Sequence, residues 1–186
     1  MSASERNPIR VDFVADEHLG MPGRLGLTIA PGKKDGLANR DLDADLQRLR
    51  AHYRADTLVS LMEPFEYRHL GIEDLSERAE EIGIVVRPFP IRDVEAPPDE
   101  AMPRFLELID AIVGDLRAGR TVVVHCRGGL GRSGVVAASC LVALGQKPDD
   151  AIERVRSARP GAVESAVQER WVGKVAEALT STHPST

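Results

Sequence analysis

The sequence predicts an α/β fold, a central, mostly parallel twisted sheet of about five strands flanked by helices, on three observations. Short β-branched and aliphatic runs alternate with segments of helical apolar spacing, the order that builds parallel sheets. One such run, residues 121–124, leads through His125 and Cys126 into a glycine-rich turn and then, from Arg132, a long apolar helix. A chain of 186 residues with 42% hydrophobic composition can bury one sizeable core, so residues 1–186 are expected to form a single domain with loose termini at 1–8 and 181–186.

Residues 9–14 alternate apolar and polar and predict a strand with one wet face. Residues 20–26, broken by Pro22, read as a loop, and 25–30 as a second strand. Pro31, Gly32 and Gly36 make a turn in which Lys33 and Lys34 are solvated. Asp41 is placed to cap a helix that runs to about Tyr53, with Leu42, Leu46 and Leu49 on its apolar face. Residues 57–62 read as a buried strand and 63–70 as a connection. Leu75, Ala79 and Ile82 mark a helix ended by Gly83, and Ile84, Val85 and Val86 supply the next parallel strand. His52 and His69 read as surface or cap residues, because no other ligand type stands beside them at metal spacing.

Four prolines hold residues 88–98 out of regular structure, just after a strand, where α/β sheets place their functional loops. Asp99 is placed to cap a helix ending near Ala118, whose Phe105, Leu106, Leu108, Ile109, Ile112, Val113 and Leu116 make one wide stripe; Gly119 stops it. Residues 135–144 are apolar on every side and belong at the centre of the fold, with Cys140 as inert packing. Pro148 opens a helix to about Ala158, and Arg159, Pro160 and Gly161 form a loop. Val163, Val167, Trp171, Val175 and Leu179 are read as the seam of the last helix, with Gln168 on a neighbouring face.

The chemistry concentrates in residues 121–133. Gly128, Gly129 and Gly131 let the backbone curl until the amides of residues 127–131 (Arg127, Gly128, Gly129, Leu130, Gly131) point into one centre at a helix start, a nest for an oxyanion. Cys126 begins this loop and Arg132 ends it, so a tetrahedral phosphate would meet sulfur on one side and a planar bidentate donor on the other. The same donors favour the thiolate and make it nucleophilic. Ser133 can protonate the sulfur when it leaves, and His125 can orient the loop and tune Cys126 through hydrogen bonds. Breaking a phosphate ester also requires an acid for the departing oxygen, and Asp93, in the proline-rich loop, is the candidate, with Glu95 second.

Cysteine, five residues, arginine and then serine resembles the signature of the cysteine-dependent phosphatases of the protein-tyrosine and dual-specificity class. The resemblance implies a three-layer phosphatase fold that hydrolyses phosphotyrosine, phosphothreonine or phosphoserine esters of a phosphorylated protein or peptide through a cysteinyl-phosphate, with no cofactor and no metal. Residues 90–93, Pro-Ile-Arg-Asp, resemble its general-acid loop, which implies Asp93 as acid. Arg-Pro-Gly-Ala-Val at 159–163, followed by Gln168, resembles the loop and helix start whose glutamine positions the hydrolytic water; the alternative is a solvent-facing side chain. From about Leu25 to Thr180 the order of elements is similar to the kinase-associated branch of the class, with Arg127 where an aromatic residue is expected.

A net charge of −5 argues against nonspecific nucleic-acid or membrane-surface partners. No apolar run reaches spanning length, the first residues lack the order of a signal peptide, and a catalytic thiolate needs a reducing compartment, so a cytoplasmic protein is expected; the sequence does not reveal its oligomeric state, for which a monomer is the default expectation. Other readings of the nest are a phosphatase of phosphoinositides, nucleotides or RNA 5′-phosphates, a rhodanese-type sulfurtransferase, which would not need Asp93, and a non-catalytic phosphoprotein-binding module.

Overall fold

The computed structural model describes residues 3–36 and 38–182. In chain order these form α1 (Ala3–Arg6), β1 (Asp12–Phe13), α2 (Asp16–Leu19), β2 (Arg24–Thr28), the antiparallel pair β3 (Lys34–Asp35) and β4 (Ala38–Asn39), α3 (Leu42–Ala51) and β5 (Ala55–Ser60). There follow α4 (Pro64–Leu70), α5 (Leu75–Glu81), β6 (Val85–Pro88), α6 (Met102–Arg117), β7 (Thr121–His125), α7 (Gly131–Ala143), α8 (Pro148–Ala158) and α9 (Ala166–Thr182).

The main sheet has the order β1-β2-β7-β5-β6, with β7 at its middle and only β1 antiparallel to its neighbour. Side chains alternate across it, which divides the core into two layers. Val122 and Val124 pack with Leu25, Leu27 and Val59 under α6, α7, α8 and α9. Val123 and Leu58 face the other way, against Leu46 and Leu49 of α3 and Ala79 of α5. A strand covered on both faces reads as an unbroken apolar run, and 121–124 is one. Phe105 joins the loop after β6 to α9 through edge-to-face contacts with Phe89 (5.6 Å between centroids) and Trp171 (5.5 Å), each worth about 1 kcal/mol beyond burial. Strands β2, β7, β5 and β6 all end on one edge, at Thr28, His125, Ser60 and Pro88, so the Cys126 loop and the proline-rich loop emerge side by side.

Several sequence expectations are corrected. Of the expected loose arm, residues 1 and 2 lie outside the described residues and Ala3–Arg6 form α1, where Ser4 is buried, its Oγ accepting from Asp41 N at 2.8 Å and donating to Asp41 O at 3.3 Å. At the other end α9 continues through residues 181 and 182, and 183–186 lie outside the described residues. Residues 63–70 are a helix, not a connection: Glu63 stands at its N-cap, Pro64 opens it, and Glu66 accepts from Glu63 N at 2.8 Å. Asp99 does not cap α6; it begins a 3₁₀ turn and pairs with Lys174 at 2.6 Å. Asp41 does cap α3, accepting from Ala44 N at 2.8 Å.

Candidate active site

Between β7 and α7 the loop is held open from outside. The carbonyl of Arg127 accepts from Ala30 N, that of Gly128 from Arg159 Nη2 (3.1 Å), that of Gly129 from Arg159 Nε, and that of Leu130 from Gly134 N and Val163 N. Within a planar trans peptide the N–H points opposite to the C=O, so these outward carbonyls turn the amides of residues 128–131 inward. Gly129 N indeed donates to Cys126 Sγ at 3.1 Å. Gly129 has φ +68°, and a Cβ there would stand 2.2 Å from the Thr28 carbonyl oxygen, so only glycine fits.

Cys126 is 3% exposed and lies in a cavity of about 340 Å³ lined by Lys33, Asp35, Asp93, Arg127 and Glu164 with the loop itself. The structure thus brings Asp93 and Cys126, 33 residues apart, to one hollow. Asp93 Oδ1 lies 2.9 Å from Arg132 Nη2, so the proline-rich loop is closed over the site. Two further bonds hold it there: Ser165 Oγ donates to Val94 O at 3.1 Å and Gln168 Nε2 to Glu95 O at 3.1 Å. Val94, at φ +65°, is a strained non-glycine residue in the middle of that loop. Glu95 contributes its backbone, and its side chain is exposed.

Arg132 is buried and its fork is committed in a definite way. Nη1 donates to Glu66 Oε2 (2.7 Å) and Ile91 O (3.0 Å), and Nη2 to Glu66 Oε1 (2.9 Å). Nε has no partner among the described residues. An incoming oxyanion can therefore take Nε directly and Nη2 in place of Asp93. Burial pushes the Glu66 carboxyl up, but hydrogen bonds from Arg132 and Glu63 and the charges of Arg132 and Arg127 hold it below its ordinary value of 4.5.

The remaining candidates sit as follows. His125 is fully buried, and burial pushes its pKa down to about 4, so the ring is neutral; its Nδ1 lies 3.3 Å from the Cys126 carbonyl, not the sulfur. Ser133 Oγ is buried with no hydrogen-bond partner among the described residues. Gln168 is 0% exposed, its Oε1 accepting from Glu164 N at 2.9 Å while Nε2 holds the acid loop; the solvent-facing alternative is excluded. Burial pushes the Cys140 thiol up, and it stays inert packing.

Sequence reasoning missed Glu66 and Arg159. Glu66 had a signal, since Glu-Pro-x-Glu at 63–66 is a helix start with acid at its third position. Arg159, whose Nη1 also pairs with Asp12 at 2.5 Å, had none, for its partners lie 30 and more residues away. Glu66→Ala is expected to destabilise the fold by about 3 kcal/mol at pH 7, because the buried Arg132 charge loses its bidentate partner. A depressed carboxyl contributes stability in full above 4.5 and loses it as pH falls towards the folded value. The gap between wild type and variant in urea midpoint should accordingly shrink below pH 4.5; an unchanged gap would mean the pair is not what the substitution removes.

The family described as Tc-R-P, polymorphic toxin system, DSP-PTPase phosphatase, matches residues 36–146. Cyclin-dependent kinase inhibitor 3 of Homo sapiens is 28% identical over 182 residues, 95% of this chain and 83% of that protein. Among solved structures, kinase associated phosphatase with its catalytic site cysteine replaced by serine superposes with a TM-score of 0.87 at 24% identity, covering 96% of this chain and 99% of that one, a likeness of fold. Tk-PTP in its active form superposes with a TM-score of 0.70 at 28% identity over 90% of this chain and 96% of that one. With a strand, nest and helix of this geometry, the chain belongs to the DSP-PTPase phosphatases of the Tc-R-P family and is a cysteine-dependent phosphatase.

Proposed function

We propose that the chain hydrolyses phosphotyrosine, phosphothreonine or phosphoserine esters of a phosphorylated protein, as one catalytic domain working as a cytoplasmic monomer. The observation that carries this reading is the convergence of Cys126 and Asp93, a nucleophile and an acid, on one cavity, with Arg132, an anion clamp, paired to Asp93. Protein substrates are favoured by the likeness to cyclin-dependent kinase inhibitor 3 over nearly the whole chain. A sulfurtransferase would have no use for Asp93, and a binding module none for the thiol.

A phosphate entering the nest meets the inward amides and takes Arg132 Nε and Nη2, displacing Asp93 from the guanidinium. The freed carboxyl takes the proton of the monoprotonated phosphate ester and stands beside the leaving oxygen. Cys126 thiolate attacks phosphorus in line, the phosphorus–oxygen bond breaks, and Asp93 gives its proton to the departing oxygen, leaving a cysteinyl-phosphate. Water then attacks; Asp93, now ionised, takes its proton, and Ser133, whose hydroxyl has no hydrogen-bond partner among the described residues, donates to the sulfur as it leaves. Gln168 orients that water once it releases Glu95. His125, neutral and bound to the Cys126 carbonyl, positions the nucleophile. Amide dipoles and one guanidinium supply the charge stabilisation that a metal supplies elsewhere.

The test is phosphate release from phosphotyrosine and phosphothreonine peptides. Turnover should persist with excess chelator and be abolished by vanadate, an anion of the same shape that the nest binds. A requirement for added Mg²⁺, or turnover of a free nucleotide or inositol phosphate well above every peptide, would refute the reading.

A further inference from the structure

The cavity holds charges that the phosphoryl-transfer steps do not use. Lys33, a residue expected to be solvated, has a side chain only 18% exposed and lines the same hollow as Cys126. Its backbone is pinned, N donating to Ala30 O at 3.4 Å and O accepting from Arg40 N at 3.1 Å. Lys33 Nζ lies 3.2 Å from Asp35 Oδ2, and Arg127 Nη2 lies 3.8 Å from the same oxygen. Asp35 is itself fixed, its Oδ1 accepting from Ala38 N at 2.9 Å. Two cations on one carboxylate leave this group with a net positive charge. Asp93 and Glu164, which line the cavity too, make the rest of it negative.

Neither cation is needed for the scissile phosphate, which has the amides and Arg132. The backbone of Arg127 belongs to the nest, while its side chain turns away to Asp35. A protein of net charge −5 repels acidic ligands over most of its surface, so a held positive group at the mouth of the nest discriminates between substrates. We propose that Lys33 and Arg127, spaced by Asp35, form a second anion subsite that takes a carboxylate or a second phosphate carried by a phosphopeptide next to the residue being hydrolysed. The subsite rests on the phosphoprotein phosphatase reading above and names the substrate class within it: phosphopeptides with an acidic or phosphorylated neighbour.

The test is steady-state kinetics of the whole chain on p-nitrophenyl phosphate and on phosphotyrosine peptides that differ only in flanking residues, glutamate, phosphoserine or lysine. Wild type should favour the two anionic peptides over the lysine peptide by about tenfold in kcat/KM, expressed in KM, with the larger gain identifying the anion. The preference should fall as salt rises from about 50 to about 300 mM. Lys33→Ala should remove most of the preference and leave p-nitrophenyl phosphate turnover within about twofold, which also shows that the variant folds; Lys33→Glu should turn the preference towards lysine. The subsite is overturned if wild type does not discriminate, if Lys33→Ala lowers all substrates equally, or if the Lys33 effect appears only with an inositol bisphosphate. Failure of the underlying reading looks different: a free nucleotide or inositol phosphate would be turned over well above every peptide, or no phosphoester, the aryl phosphate included, would be turned over at all.

Discussion

Cys126→Ser is expected to lower turnover of any phosphoester by at least about 10⁴-fold while leaving the protein folded and able to bind phosphate or vanadate. A serine hydroxyl is far less acidic than a thiol, the loop amides cannot take its proton, and His125 contacts the carbonyl of residue 126 and not its side chain. Binding survives because the anion is held by inward amides and by Arg132, whose position is fixed through Glu66 and Ile91 O, and none of these passes through the sulfur. The replacement hydroxyl can still accept from Gly129 N, so the loop is not emptied of its hydrogen bond. Titration calorimetry with vanadate and a phosphate-release assay separate the two effects. Cys140→Ser is the control: that thiol is wholly buried in α7, and its loss should cost stability but not rate per folded molecule. Turnover by the Cys126→Ser variant, or loss of activity confined to Cys140→Ser, would overturn the assignment of the nucleophile.

What could be read from the sequence was what is local. The Cys126 loop, its feeding strand and the helix behind it occupy 23 consecutive residues, from Thr121 to Ala143, and each announces itself by composition: β-branched run, glycines, small apolar residues. Asp93 was legible because leaving-group chemistry demands an acid and a proline-rich loop after a strand can present one. The supports of the site were not legible, because their partners are distant in sequence: Glu66 and Arg132 are 66 residues apart, Arg159 and Asp12 147 apart. The seam read in α9 holds at Trp171, Val175 and Leu179 and breaks at Val167, for a geometric reason. A four-residue interval overshoots a helical turn by about 40°, so five such positions sweep about 160° and cannot share one face. Val167 is accordingly 40% exposed, Val163 precedes the helix at φ +54°, and the inward face is instead made by Gln168, Trp171, Val172 and Val175. That shift of phase is also what buries Gln168 and lets it reach Glu95.

Asp93→Asn is expected to slow hydrolysis of a peptide phosphotyrosine or phosphothreonine by about 10²- to 10³-fold, and of an aryl phosphate with a strongly acidic leaving group far less. The contrast follows from the role: a leaving oxygen that is stable as an anion needs no proton, one that is not must receive it in the transition state. Asparagine keeps the shape and can keep the Val94 N contact, so the loop bonds from Ser165 and Gln168 should hold it in place. It removes the negative charge that competes with phosphate for Arg132 Nη2, so KM should not rise and should fall if displacement of Asp93 costs binding energy. A purely structural lesion would raise KM or lower both substrates together. Glu95→Gln is the comparison, since that side chain is exposed and only its carbonyl enters the network; its kcat should stay within about twofold. Equal losses on both substrates in Asp93→Asn, together with a leaving-group-dependent loss in Glu95→Gln, would move the proton donor two residues along the loop and require the loop to sit differently over the thiolate than the Asp93–Arg132 contact places it.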